Sequence, residues 1–296
     1  MSVAALYELP APAKLNLFLH IVGRRPDGYH LLQSVFVLID WCDTLHIERR
    51  HDGRIARHDL GAALPADDLC LRAARALQSA SGTTLGADIS VDKQVPWGAG
   101  MGGGSSDAAT TLLALNRLWG LDWPLSRLLA LGLTLGADVP FFLGGRNAWV
   151  EGIDERLTPL EIAPRRYAVV KPAPHIATQA IFTSPLLVRD TKAAILAGFL
   201  ADAGIDRLLQ GFGRNDLQPP AEASCPEVAQ AARLLEARFG NSRMTGSGSA
   251  VFARIDDVAG TGRQPMATMP PDLPAGWVGR MCRSLAQHPL AGWATG

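Results

Sequence analysis

Over residues 13–22, Leu15, Leu17, Leu19 and Ile21 alternate with Lys14, Asn16, Phe18, His20 and Val22. That is the two-residue period of a β-strand, and it sets Lys14 and Asn16 on one face. After the turn residues Arg25-Pro26-Asp27-Gly28, strand character returns over 31–39 and 44–48, so the opening third predicts a β-rich layer. Asp67 or Asp68 can cap a helix running through Leu69, Ala73, Ala74 and Leu77, and a short strand follows over 87–91. Ala108, Ala109, Leu112, Leu113, Leu115 and Trp119 then recur at helical spacing until Gly120 stops them. Pro124 and Ser126 open a leucine-rich helix ending near Gly136, and strands are expected over 148–151, 167–171, 243–255 and 276–282.

Strands and helices do not alternate regularly in this order, which predicts an α+β fold. Residues 158–166, with two prolines and mixed charge, form the best linker, dividing the chain into 1–160 and 161–296. Residues 256–274 carry four prolines and few large apolar residues, the composition of a loose surface excursion. No fixed-period repeat or long low-complexity tract is visible.

Lys plus Arg number 28 against 28 Asp plus Glu in 296 residues, which leaves no global field to attract nucleic acid. Cys42, Cys70, Cys225 and Cys282 stand far apart without metal-ligand spacing and read as reduced thiols. The N-terminus lacks the basic start and apolar core of a signal peptide. The longest apolar stretch, 128–145, contains Asp138, and a central Asp costs about 3 kcal/mol in a membrane span. The expectation is a cytoplasmic protein with no membrane or nucleic-acid partner, no obligate protein partner and no protein metal ligand.

Glycine is in excess, at 30 residues, and one segment concentrates it. Pro96-Trp97-Gly98-Ala99-Gly100-Met101-Gly102-Gly103-Gly104-Ser105-Ser106-Asp107 leads directly into the second predicted helical pattern, which begins at Ala108. Glycines permit positive φ and leave backbone N–H groups room to surround an anion. A helix beginning near Ser105 adds unpaired amides and a partial positive charge, so a nucleoside triphosphate suits the loop. Ser105 and Ser106 suit either a phosphate or Mg²⁺, or simply the helix N-cap.

Gly98, Gly100 and Gly103 also satisfy Gly-x-Gly-x-x-Gly, but Asp122, at the spacing of a ribose-binding acid, has no second strand to end. No Lys follows Gly104, which excludes a Walker A loop, and no His-Arg-Asp set marks a protein kinase. A phosphate loop then needs a group to orient or deprotonate the acceptor. Asp138, in the apolar frame Leu135-Gly136-Ala137-Asp138-Val139-Pro140-Phe141-Phe142, and Lys14, in an apolar strand, are the leading candidates. A helix cap for Asp138 and a solvated sheet edge for Lys14 are the bland alternatives. A second glycine turn, Thr245-Gly246-Ser247-Gly248, is explained most simply as a tight hairpin, with support of the phosphate loop as its functional reading.

Three segments together carry a resemblance. Pro12-Ala13-Lys14-Leu15-Asn16-Leu17, the glycine loop from Pro96 to Ala109, and Thr245-Gly246-Ser247-Gly248 resemble the ordered motifs of the GHMP small-molecule kinases. Arg25-Pro26-Asp27-Gly28-Tyr29-His30, the segment around Asp138 and Asn215-Asp216-Leu217 are similar to one branch, which phosphorylates the 2-hydroxyl of 4-diphosphocytidyl-2-C-methyl-D-erythritol in the non-mevalonate isoprenoid pathway.

The resemblance implies a two-domain fold: an N-terminal nucleotide-binding domain like the second domain of ribosomal protein S5, and a ferredoxin-like C-terminal domain. It implies ATP as co-substrate with Mg²⁺, and an acceptor bearing a cytidine diphosphate moiety. Asp138 falls on the base and Lys14 on the lysine that assists it. Asn16 falls on a substrate-side polar position, Tyr29 and Phe182 on aromatics that sandwich cytosine, and His30 on the residue that bonds its edge. Lys93 falls near the adenine, and residues 96–106 on the phosphate loop. Trp97 and Met101 depart from the usual loop residues. Another GHMP kinase, of homoserine or mevalonate type, and a nucleotide-binding module without catalysis are the alternatives.

Overall fold

Two long antiparallel strands, β1 (Ala5–Arg24) and β2 (His30–Arg50), form the spine of the molecule. The structure is a computed structural model describing residues 3–200, 204–255 and 268–294. β3 (Ile55–Asp59), α1 (Leu69–Ser81) and β4 (Gly86–Asp92) follow, then α2 (Gly103–Leu118), α3 (Leu125–Leu135), α4 (Val139–Gly144), β5 (Ala148–Gly152) and β6 (Arg156–Pro159). The rest comprises β7 (Arg166–Lys171), α5 (Thr178–Thr183), α6 (Ala197–Leu200), α7 (Gly204–Leu209), α8 (Gln218–Ser224), α9 (Pro226–Phe239), β8 (Arg243–Met244), β9 (Val251–Ile255) and β10 (Val278–Arg283). The α+β class expected from the sequence is the one observed.

The first sheet runs β3-β4-β2-β5-β6 with β1 on the other edge of β2, and the second runs β10-β7-β9-β8. The two strands expected over 31–39 and 44–48 are one. Pro12 faces Cys42 while Ala13 faces Ile39, so Asp40 and Trp41 are extra residues in a bulge that interrupts the alternation. A second irregularity, between Asn16 and Leu19, resets the facing of β1. β3 is absent from the sequence reading because Ile-Ala-Arg-His-Asp has no alternating apolar face and stays partly exposed.

Three buried clusters layer the molecule. Phe36, Leu38, Leu45 and Ile47 of β2 face α1–α4. Val35, Val37 and Ile39 face the second sheet's Tyr167, Val169 and Phe252. The far face of that sheet, with Ala168, Val170, Val251 and Ala253, packs against Val228, Ala231 and Leu235 of α9. Residues 35–39 are uniformly apolar because both faces of the strand are buried.

The chain leaves the first sheet after Pro159 and enters the second at Arg166. After β10 it returns: Leu285 N–H donates to Leu38 O at 2.8 Å, and Leu290 and Ala294 bury themselves in the first core. Buried Asn147 fastens this return, accepting from Leu38 N–H and donating to Leu285 O, each at 2.9 Å. Of the excursion expected over 256–274, residues 256–267 lie outside the described residues, while Met269 and Leu273 pack against the third cluster.

Asp68 caps α1, its carboxylate accepting from Leu71 N–H at 2.9 Å. Helix α2 is anchored to the β2 bulge by a buried charge triad. Lys93 pairs with Asp43 and, at 2.6 Å, with Asp107 in the first turns of α2. Asp43 also accepts from Gln94 N–H at 2.6 Å and Val95 N–H at 2.7 Å. Burial alone would depress the Lys93 ammonium, but the Asp107 and Asp43 carboxylates overcome it and raise its pKa. Burial raises the Asp107 carboxyl, against the pull of Lys93 and with the push of Asp43.

Lys93→Met should therefore destabilise the fold by about 3–5 kcal/mol at pH 8, because two carboxylates lose their cation. The Asp107 carboxyl, already raised by burial, would lose the opposing pull of Lys93, so the penalty shrinks toward pH 5 as folding retains its proton. Urea unfolding at the two pH values measures this, and an equal loss at both would contradict an electrostatic role.

Candidate active site

The glycine loop turns on Gly98, Gly100 and Gly102, with φ of 64°, 74° and 71°. Ala99 and Met101 lie between them without positive φ and are buried in the second core, so their side chains face away from a ligand above the loop. Trp97 projects outward, 65% exposed, with its ring edge-on to His175 at 5.5 Å. Helix α2 begins at Gly103, earlier than expected, with Gly102 as its N-cap residue. The serine cap reading is therefore corrected: Ser105 and Ser106 lie inside the first turn. Ser105 lines the cleft, whereas Ser106 is fully buried with its hydroxyl unpartnered among the described residues.

The second glycine turn joins β8 to β9, as a hairpin should, and also lies against the loop. A Cβ at Gly100 would stand 2.3 Å from Thr245 O, and one at Gly246 would stand 2.6 Å from Gly100 O. Ala250 N–H donates to Ala99 O at 3.1 Å, and Lys14 N–H donates to Met101 O at 2.9 Å. Asn215 holds the turn from behind, its amide donating to Met244 O at 2.7 Å and Gly246 O at 2.8 Å. Its neighbour Asp216 accepts from Ile21 N–H at 2.9 Å, tying this arrangement to β1.

Lys14, Asn16, Ser105, Asp138, Gly246 and Ser247 converge on a cleft of about 320 Å³. The β1 period delivers Lys14 and Asn16 to the same face, and the Lys14 ammonium donates to Asn16 Oδ1 at 2.7 Å. It also lies 4.2 Å from the Phe36 ring centre, a cation–π contact that helps hold a buried charge. Asn16 is fixed in turn, donating to Ser34 Oγ at 2.9 Å and accepting from Thr245 Oγ1 at 3.1 Å. Asp138 occupies the N-cap position of α4 but makes no side-chain cap bond. Its carboxylate stands 3.7 Å from the Lys14 ammonium, with the Asp138 side chain 24% exposed against 4% for Lys14. Lys14 is therefore buried rather than solvated at a sheet edge. Lys93, which the resemblance sets near the adenine, directs its ammonium to Asp43 and Asp107.

A larger cavity of about 840 Å³ adjoins this cleft, lined by Tyr29, His30, Phe182, Arg24 and Arg189 among others. His30, rather than Tyr29, stacks on Phe182, with ring centres 5.1 Å apart and planes at 28°. Tyr29 is 61% exposed at the rim. Burial depresses the His30 pKa, and the Arg189 and Arg24 guanidiniums depress it further, which keeps the ring neutral at pH 7. Its Nε2 accepts from Arg189 Nε at 3.2 Å, leaving Nδ1 as the protonated nitrogen. Arg24 and Arg189 supply two cations to this cavity that the sequence reading omitted. Arg24 stands just before the Arg25–His30 motif and Arg189 in a stretch without one, and only the fold brings residues 24 and 189 together.

Among the described residues, no helix is long and apolar enough to cross a membrane. The chain matches the family of GHMP kinases N terminal domain over residues 68–146 and that of GHMP kinases C terminal over 196–261. It is 68% identical over 296 residues to a protein of Methylibium petroleiphilum named 4-diphosphocytidyl-2-C-methyl-D-erythritol kinase, covering 99% of this chain and 100% of that one. A relative of the same name from Paracidovorax citrulli is 59% identical, covering 98% of each chain. A crystal structure of 4-(cytidine 5'-diphospho)-2C-methyl-D-erythritol kinase superposes with a TM-score of 0.73 at 35% identity, covering 84% of this chain and 90% of that chain. Homoserine kinase from Cytophaga hutchinsonii shares the fold, with a TM-score of 0.65 at 15% identity over 96% of this chain and 95% of its own. Full-length identity of this order, joined to the convergence of the three motifs on one cleft, makes the chain a member of the 4-diphosphocytidyl-2-C-methyl-D-erythritol kinase family of the GHMP kinases.

Proposed function

We infer that the protein is an ATP-dependent kinase that phosphorylates the 2-hydroxyl of 4-diphosphocytidyl-2-C-methyl-D-erythritol, giving the 2-phosphate and ADP within isoprenoid precursor synthesis. The observation that carries this reading is the pairing of Lys14 and Asp138, 3.7 Å apart, beside the glycine loop of a chain 68% identical to a kinase of that name. The neighbouring aromatic cavity, wide enough for a nucleotide, favours it over a homoserine or mevalonate acceptor. The same pair argues against a module that only binds nucleotide. The cytoplasm suits such an enzyme, and with the chain divided near residue 160, ATP would lie chiefly against the first sheet.

In this reading Asp138 accepts the proton of the acceptor hydroxyl as its oxygen bonds to the γ-phosphorus and the bond to the ADP oxygen breaks. Lys14, held by Asn16, stabilises the developing alkoxide charge. The α2 N-terminus and loop amides receive the phosphates. Tyr29, His30 and Phe182 receive the base, and Arg24 and Arg189 face its diphosphate. Among the described residues no group of three or more His, Cys, Asp or Glu could hold a metal. Mg²⁺ would thus arrive on the triphosphate, with the Ser105 hydroxyl as the fitting protein ligand, and would neutralise phosphate charge.

Asp138→Asn should lower kcat by at least about 10²-fold, the usual loss with a general base, while ATP affinity changes less than about twofold. Unchanged turnover would remove Asp138 from this role. Tyr29→Ala and Phe182→Ala should each raise the acceptor KM by about fivefold to a hundredfold, the range for losing one stacked base contact. An equal loss of ATP affinity in steady-state kinetics would contradict that assignment. Phosphoryl transfer to homoserine or mevalonate, with none to the diphosphocytidyl acceptor, would overturn the function itself.

A further inference from the structure

Asp154 is a half-buried acid that the mechanism above does not use. It lies in the turn from β5 to β6, just after Gly152. Its φ is 82°, a left-handed conformation that L-residues rarely adopt and that glycine accepts freely. The Oδ1 atom is buried and has no hydrogen-bond partner among the described residues. An orphaned acceptor on a strained backbone is costly on both counts, so a ligand that supplies the missing bond is the physical reading to test.

The position of Asp154 identifies that ligand's chemistry. With Leu32 and Phe182, it is one of the residues that line both the 840 Å³ aromatic cavity and the 320 Å³ cleft of Lys14 and Asp138. A molecule with its base and diphosphate in the first, where Arg24 and Arg189 lie, and its reacting hydroxyl in the second crosses this junction with the short hydroxylated carbon chain that joins the diphosphate to the reacting carbon. Leu32 and Phe182 present apolar surface there, so Asp154 is the polar group of the junction.

We propose that the Asp154 carboxyl binds the polyol segment of the acceptor through its hydroxyl groups where that segment passes toward Asp138. This rests on the functional reading above.

Its charged surroundings determine the pH dependence. Asp138, Lys14 and Glu155 face it, and Arg24, Asp27, His30 and Arg189 line the larger cavity with it. Burial pushes its carboxyl up to about 7, Asp138 adding to the rise, Lys14 opposing it and Glu155 adding again. The neutral acid both donates and accepts, as a hydroxyl does, and adds no charge beside an anionic diphosphate. Ionisation above pH 7 introduces that repulsion, so the acceptor KM should rise between pH 6 and pH 8.

The test measures KM for acceptor and for ATP across this range in the wild type, Asp154→Gly and Asp154→Asn. Glycine relieves the backbone and removes the carboxyl, so this variant should fold at least as well, which thermal unfolding checks. It should raise the acceptor KM by about tenfold, as for one buried hydrogen bond, with a far smaller effect on kcat and on the ATP KM. Asparagine retains hydrogen bonding without ionising, so it should restore KM to within about threefold and abolish the rise toward pH 8. His30 titrates in all three proteins and cancels from the comparison. An unchanged acceptor KM in Asp154→Gly, or the wild-type pH profile in Asp154→Asn, overturns the proposal while leaving the kinase reading intact. A wild type that does not phosphorylate the acceptor overturns both.

Discussion

The cleft depends on a close approach of two backbones. Gly100 and Gly246 come from segments attached to different sheets, and neither could carry a Cβ without striking the other's main chain. This contact closes the phosphate loop against the β8–β9 turn and gives Ala99 O and Gly98 O partners in the Ala250 and Ser249 N–H groups. Side chains would have kept the sheets too far apart for these bonds. The glycine excess is thus partly a requirement of packing, beyond any contact the loop makes with phosphate.

The polar groups of the cleft are held by partners on several elements. Lys14 is presented by β1, steadied by Asn16 and by the Phe36 ring, and faces an Asp138 that α4 leaves free of capping. Thr245 bonds Asn16 from the opposite sheet, so the glycine contact and the charged pair share one network. A shift of the turn would therefore move the lysine's support as well as the loop. Beneath it, the Lys93 triad fixes α2 to the β2 bulge, which keeps the helix N-terminus at a constant height over the sheet.

Local periodicity made β1, the α1 cap and the glycine loop legible in the sequence, because each depends on neighbours a few residues away. It separated β2 into two strands, since a bulge disrupts alternation without ending a strand. It passed over β3, whose pairing with β4 is fixed by the sheet rather than by its own composition. The serine cap failed because glycine at 102 takes that position and starts the helix sooner. Asp138 was recognisable as an acid in an apolar frame. Arg24, Arg189 and Asp154 were not, because their meaning arises only where distant segments meet. Lys93 shows the converse: a motif position drew attention to it, and its environment assigns the ammonium to two buried acids.

The return of residues 284–294 to the first sheet has a consequence for the order of assembly. The second sheet is threaded into the first as an insertion, with a connection at each end. Synthesis from the N-terminus delivers Leu290 and Ala294 after the second sheet, although they complete a core begun by β1, β2 and α1. The emerging N-terminal half thus carries an open apolar seam, and its closure waits until the inserted sheet has left the ribosome.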